Sequence, residues 1–202
     1  MKLNLFQFTP TTEVEGPGLR ACIQVQGCPI RCPDCGVPQT WQKRGGTIVD
    51  SNYLVKQILE GPLVEGVTFL GGEPFAQATV LADIARKLKH NGLSVITFTG
   101  YTLEFLQNEK RPDYDALLSV TDLLIDGPFQ REKLSMARPW IGSSNQRYHF
   151  LTTRYAHLAE SLEAIPNRIE VRLKPDGRLF VSGLGYFDDM KSLVNSMEFK
   201  SQ

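Results

Sequence analysis

The residues best equipped for chemistry are four cysteines, Cys22, Cys28, Cys32 and Cys35, which fall within fourteen residues of a 202-residue chain. Thiolate sulfur is a soft ligand that suits iron–sulfur clusters and zinc. Cys28, Cys32 and Cys35 follow a C-x3-C-x2-C spacing, compact enough to wrap one cluster. Three cysteines on a four-iron cubane would leave the fourth iron open to an outside ligand. Cys22 decides between readings. It lies six residues before Cys28, in a segment whose alternating polarity predicts an extended strand. If the strand keeps it away, the site has three cysteines and is reactive; if it reaches, a closed four-thiolate zinc site becomes possible. Structural zinc usually takes two separated pairs of ligands, which this spacing does not supply. A redox pair of Cys32 and Cys35 would have a third thiol standing beside it. Cys22 itself reads as an inert buried thiol.

The rest of the composition narrows the setting. A secreted disulfide framework would spread its cysteines to tie distant segments together. The Met1–Gln7 stretch has one lysine and an apolar run broken by Asn4 and Gln7, a poor secretory signal, so a cytoplasmic protein with reduced thiols is expected. Lys+Arg and Asp+Glu both number 22, so net charge gives no argument for nucleic acid or membrane as a partner. No apolar run approaches the ~18 residues of a membrane span. At ~150 residues per domain the chain is expected to be one domain over residues 1–202, long enough to bury a core.

Several elements must position the cysteines. Arg20–Gln26 is predicted as a strand, and the Pro- and Gly-rich stretch 27–38 after it as a loop. Asp50 or Ser51 can cap a helix to about Leu59. Strands are predicted at Val67–Leu70, Val95–Thr99 and Leu123–Ile125, with helices at 79–89, 103–107 and 114–120. Pro175-Asp176-Gly177 signals a hairpin between 169–174 and 179–181, and Asp188 starts a predicted final helix. Strands alternating with helices to about residue 126 indicate an α/β fold with a parallel sheet. Function in such sheets gathers at the carboxyl ends of the strands. The cysteine loop, Gly71-Gly72-Glu73-Pro74, Thr99-Gly100-Tyr101-Thr102 and Asp126-Gly127-Pro128 all follow predicted strands and should converge on one mouth.

With the cysteine loop and Gly71-Gly72-Glu73-Pro74 in place, the chain resembles the radical S-adenosylmethionine (SAM) superfamily. Glu15-Gly16-Pro17-Gly18-Leu19-Arg20 resembles the entry sequence of its glycyl-radical-enzyme activases. Trp41, Thr99–Thr102, Leu124–Phe129 and Gly142-Ser143-Ser144-Asn145-Gln146-Arg147 are similar to the activases of anaerobic ribonucleotide reductase. The resemblance covers about residues 13–150, with a C-terminal extension of about 151–202 outside it. It implies an incomplete TIM-like barrel of about six βα units, followed by the hairpin and helix. It implies a [4Fe-4S] cluster on Cys28, Cys32 and Cys35, whose open iron takes the amino and carboxylate groups of SAM. Reductive cleavage would then give methionine and a 5′-deoxyadenosyl radical. Gly71, Gly72, Glu73 and Pro74 would contact SAM, the backbone around Asp34 and Gly36 would lie along the adenine, and Asp126 would meet the ribose or ammonium. The chemistry is centred on the cofactor, so no side chain is singled out as catalytic. The implied partners are a glycyl-radical enzyme such as anaerobic ribonucleotide reductase and an external one-electron reductant, with no nucleic acid and no membrane. Where these activases usually carry an aromatic after the third cysteine, this chain has Gly36, leaving Tyr101 or Trp41 as the ring to fill that place.

Two rival readings remain at this stage. One keeps the radical chemistry and gives it a small molecule or peptide substrate, as Gly36 and the extension suggest. The other is a non-catalytic metal-binding interaction module, which needs Cys22 as a fourth ligand. His90, His149 and His157 have no partners at ligand spacing and read as structural or surface residues.

Overall fold

In the computed structural model, residues 1–173, 177 and 179–185 are described. The chain forms β1 (Lys2–Thr12), β2 (Arg20–Val25), β3 (Thr47–Asp50), α1 (Ser51–Leu59), β4 (Gly66–Gly71) and α2 (Ala78–His90). These are followed by β5 (Ser94–Phe98), α3 (Leu103–Asn108), α4 (Pro112–Leu118), β6 (Leu123–Asp126), β7 (Arg147–Phe150), β8 (Ile169–Leu173) and β9 (Leu179–Gly183). Local chemistry accounts for the helix ends. Asp50 caps α1 by accepting from Asn52 N at 2.9 Å. Pro112 opens α4 where its missing N–H costs nothing. Lys87, Lys89 and His90 sit in the last turn of α2, at the negative end of its dipole.

Seven strands make one mixed sheet in the order β3-β1-β2-β4-β5-β6-β7. β2, β4, β5 and β6 are parallel neighbours. β1 and β3 extend the sheet antiparallel at one edge, and β7 does so at the other. The α/β reading therefore holds, with four parallel strands where about six βα units were expected. The difference begins after β6. The described chain there has only short 3-10 turns, and a parallel return needs a crossover of a dozen or more residues, usually a helix. The chain comes back instead as the antiparallel β7.

Among the described residues, α-helices cover one face only. Ala21, Ile23, Val67 and Phe69 of the sheet pack with Leu81 and Ile84 of α2 in the larger core. On the other face Ile96, Leu123 and Ile125 pack against Trp140 and Ile141 of irregular chain and against Tyr155 of a short 3-10 turn. β8 and β9 form the expected antiparallel hairpin. It is tied to the main sheet by Thr12 Oγ1 donating to Glu170 Oε2 at 2.7 Å and Gly183 N donating to Glu15 Oε1 at 3.2 Å. Pro175, Asp176 and the helix expected from Asp188 lie outside the described residues.

Arg20 is fully buried at the amino end of β2. Its guanidinium donates to Thr68 Oγ1, Val67 O, Ser94 Oγ and Tyr155 Oη, at 2.8, 2.7, 3.1 and 2.7 Å. Tyr155 Oη in turn donates to Glu65 Oε1 at 2.7 Å. Glu15–Arg20 is thus a structural joint, at the opposite end of β2 from the cysteine loop.

Candidate cluster and cofactor site

The four segments that follow the parallel strands line one cavity. Cys28, Cys32 and Cys35 come from the loop after β2, Gly71, Gly72 and Glu73 from the end of β4, and Thr99 and Gly100 from the end of β5; Gly127 and Phe129 come from the end of β6. Trp41 and Gln146 also line it. The cysteine loop is held in shape by its backbone. Gly27 N donates to Thr40 O at 2.8 Å, Cys28 N to Trp41 O at 3.1 Å and Cys35 N to Cys32 O at 3.2 Å. Arg31 and Asp34 take the left-handed conformation, with φ of 53° and 55°, which non-glycine residues adopt rarely outside tight turns.

The glycines after β4 answer to close packing. Gly71 has φ 108°. A Cβ there would lie 2.6 Å from Val25 N, and one on Gly72 would lie 2.8 Å from the Gly27 carbonyl carbon. Only bare backbone lets this turn lie against the start of the cysteine loop, where Gly72 N donates to Val25 O at 2.7 Å and Glu73 N to Gly27 O at 2.9 Å. Glu73 is buried and spans two strand ends. Its carboxylate accepts from Phe75 N and Thr99 Oγ1 at 2.9 Å each and from Gly100 N at 3.0 Å. Burial outweighs these donors and pushes its pKa up to about 7.

The three loop thiols fit a cluster. All are half-buried and line the same cavity. Burial raises the pKa of Cys28 and Cys32, while backbone N–H groups favour their thiolates, those of Arg31 and Ile30 at Cys28 and that of Phe129 at Cys32. Cys28 and Cys32 both lie within electrostatic reach of Cys35. Among the described residues no three His, Cys, Asp or Glu side chains close on a point where a single ion could sit. Three thiols lining one half-open cavity are a donor set that suits an iron–sulfur cluster. Cys22 is buried within β2 and does not line the cavity; its electrostatic neighbours are Glu15, Arg20, Arg172 and Glu170.

Residues 14–149 match the protein family described as "4Fe-4S single cluster domain". The chain belongs to that family, in its radical SAM glycyl-radical activase type. Among its relatives, the anaerobic ribonucleoside-triphosphate reductase-activating protein of Pasteurella multocida is 30% identical over 152 residues, 71% of this chain and 95% of that protein. The protein of the same description from Haemophilus influenzae is 28% identical over 155 residues, 73% and 97% of the two chains. The pyruvate formate-lyase-activating enzyme of Clostridium pasteurianum is 35% identical over 118 residues, 55% of this chain and 46% of that enzyme. The chain is an enzyme of this activating type carrying a 4Fe-4S domain.

Within this activase-type chain the residues singled out in the sequence divide into two groups. Cys28, Cys32, Cys35, Gly71, Gly72 and Glu73 meet at the cavity. Asp34, Gly36, Pro74 and Asp126 do not line it. Pro74 is buried behind the turn, and Gly36 is exposed with nothing within 4 Å of a Cβ built on it. Asp126 is buried with both oxygens engaged. Arg147 donates to Oδ1 at 3.0 Å through Nε and to Oδ2 at 2.6 Å through a terminal nitrogen, and Leu103 N donates to Oδ2 at 2.7 Å. His149, which had no partner by spacing, brings Nε2 to 2.9 Å from Asp126 Oδ2 across the β6–β7 pair, although its N–H is not aimed along that line. Of the two candidate rings, Trp41 lines the cavity, whereas Tyr101 stacks on Phe105 with centroids 4.6 Å apart. Leu70 and Phe98 also line the cavity and were not anticipated. Both lie two residues beyond Thr68 and Ile96 on their strands, so period-two phasing from those inner-face residues is the signal that reaches them.

Proposed function

We propose that this chain activates a glycyl-radical enzyme, of the anaerobic ribonucleotide reductase kind, with Cys28, Cys32 and Cys35 holding its [4Fe-4S] cluster and SAM bound beside it. The observation that carries the reading is the single cavity where the three thiols face Gly71, Gly72 and Glu73 at the carboxyl ends of the parallel strands. The names of the relatives support a glycyl-radical partner. Held there, the cluster and SAM would supply one-electron chemistry: with an electron from an external reductant, cleavage of the sulfonium C–S bond would give methionine and a 5′-deoxyadenosyl radical able to take a hydrogen atom from a partner glycine, with 5′-deoxyadenosine as the product.

The chain's own residues bind and orient. N–H groups of Ile30, Arg31 and Phe129 favour the thiolate forms that ligation requires. Gly71 and Gly72 present backbone polar groups to the SAM ammonium, and Glu73 offers its carboxylate with a charge-assisted hydrogen bond. The backbone at Asp34 and Gly36, which lies outside the cavity lining, would border the adenine from the rim, where no ring stands, while Trp41 is a ring within the cavity. Pro74 fixes the turn. Asp126 serves as a positioning residue, since Arg147 and Leu103 N already occupy its oxygens. The four parallel strands are read as part of an incomplete barrel whose open side admits the partner's glycine loop. That glycine must come within contact distance of the 5′ carbon. The reading places the enzyme in the cytoplasm. Among the described residues no helix is long and apolar enough to cross a membrane.

The test is anaerobic reconstitution with iron and sulfide, then SAM and dithionite, with 5′-deoxyadenosine measured by chromatography. Wild type should form it and Cys32→Ala should not. A wild type carrying a full cluster and forming none would refute the reading.

A further inference from the structure

The loop that leaves β6 is gripped at five consecutive residues by the hexapeptide Gly142–Arg147. Arg147 holds the Asp126 carboxylate. Gln146 Nε2 donates to Gly127 O at 3.3 Å, and Asn145 Nδ2 donates to Pro128 O at 2.8 Å. The Phe129 ring packs so closely on Gly142 that a Cβ there would lie 3.3 Å from two ring carbons. Gln130 N donates to Ser143 Oγ at 3.2 Å. The hexapeptide is itself braced, since Gln146 Oε1 accepts from Gly142 N at 2.9 Å and from Ser143 N at 3.1 Å. This is a side-chain ladder continued past the end of the β6–β7 pair. Among the described residues Asn145 Oδ1 is buried without a hydrogen-bond partner.

The gripped loop carries Phe129, whose backbone N–H is directed at Cys32. Phe129, Gly127, Gln146 and Cys32 line the same cavity. Cys28 differs, because its donors, Ile30 and Arg31, come from the cysteine loop itself. Cys32 has its own backbone N–H as a lesser donor, but its larger one, Phe129, comes from a segment remote in sequence, and that segment is positioned by the hexapeptide. We propose that Asn145 and Gln146 are positioning residues that hold the Phe129 N–H on the Cys32 sulfur and so set the reduction potential of the cluster. The inference rests on the reading of Cys32 as a cluster ligand.

The sign follows from charge. The reduced cluster carries one more negative charge, so an N–H donated to a ligand sulfur stabilises the reduced state more than the oxidised one. Losing the alignment of that donor lowers the potential. A charge-assisted hydrogen bond is strong enough to change the reduced-to-oxidised ratio about tenfold at fixed poise, which is about 59 mV for one electron.

The experiment compares the reconstituted wild type with Asn145→Ala and Gln146→Glu in an anaerobic redox titration followed by electron paramagnetic resonance of the reduced cluster. Gln146→Glu keeps the acceptor for Gly142 and Ser143 and removes the donor to Gly127 O, but it also adds a negative charge to the cavity wall that lowers the potential by itself, so Asn145→Ala, which adds no charge, is the deciding variant. The expected result is wild-type iron per chain with a reduced-to-oxidised ratio about tenfold lower at the wild-type midpoint. Loaded variants that titrate at the wild-type potential would overturn this inference alone. A wild type that takes up no cluster would overturn the metal assignment and this inference with it.

Discussion

Adding one methyl group at Gly72 should be far more damaging than adding one at Gly36, although both glycines lie in loops bounding the site. A Cβ on Gly72 would lie 2.8 Å from the Gly27 carbonyl carbon and 3.1 Å from Gly27 N, and all its near neighbours are backbone. Ordinary carbon contacts lie near ~3.5 Å, and the Gly27 carbonyl oxygen would be nearer still than its carbon, so the turn after β4 must move away from the cysteine loop by at least about 0.7 Å. That displacement acts on the hydrogen bonds from Gly72 N to Val25 O and from Glu73 N to Gly27 O. Two such bonds contribute about 1 kcal/mol each, and forced overpacking adds about 1–3 kcal/mol. Gly72→Ala should therefore cost about 3–5 kcal/mol if both bonds are lost, enough to lower a urea midpoint by about 1.5–2.5 M at a slope of about 2 kcal/mol/M. Gly36→Ala meets nothing within 4 Å and should stay within about 0.5 kcal/mol of wild type. Urea unfolding of the metal-free chains, followed by circular dichroism, measures both. Iron per chain after reconstitution should fall for Gly72→Ala alone. Coincident unfolding curves for the two variants would refute the packing argument.

Glu73 predicts a pH dependence of stability. Its carboxyl is raised from 4.5 to about 7 by burial, so the folded state holds a proton that the unfolded state has released between those values. Stability should fall as pH rises through that window, by on the order of 3 kcal/mol. Glu73→Gln should flatten the slope in urea titrations at pH 5 and 8, and an equal slope in both proteins would contradict the assignment. Cys22→Ala removes a buried thiol that does not line the cavity. It should lower stability by about 1 kcal/mol with iron per chain unchanged, and loss of iron would restore the four-cysteine reading. Gly36→Tyr has open space to occupy, and a ring there should lower the dissociation constant for SAM, measured anaerobically by calorimetry; an unchanged or higher constant would show that no adenine lies beside it.

Much of the parallel core could be read directly, because buried strands and amphipathic helices announce themselves by period. β2, β4, β5 and β6 and helices α1 to α4 fall close to where the apolar pattern puts them. β1 was hidden by an interruption of that pattern. Leu5 pairs with Val25 and Gln7 with Gln24, so Phe6 is an extra residue that switches the following side chains to the other face. Leu3, Leu5 and Phe8 consequently share the core despite their uneven spacing. β7 was hidden by its length, four residues with none fully buried. Of the site, the cysteine loop and Gly71–Glu73 were legible because their chemistry is local. The partners of Asp126 were not. Arg147 and His149 reach it only across the β6–β7 register, where Asp126 faces Arg147 and Leu124 faces His149, and no short spacing encodes that.

The buried Arg20 ties the amino end of the sheet to the segment after residue 150. Its guanidinium is compensated by Tyr155, which lies in the 3-10 turn Thr153–Leu158 beyond the part of the chain that matches the family. Opening that turn would strip a fully buried cation of one of its hydrogen-bond partners, a loss of about 1.5–3 kcal/mol for a charged donor. Local fraying there is therefore opposed by the same guanidinium that bonds to β4 and β5. The amide of Tyr155 should exchange with deuterium more slowly than a short exposed 3-10 turn would by itself, and Tyr155→Phe should speed that exchange.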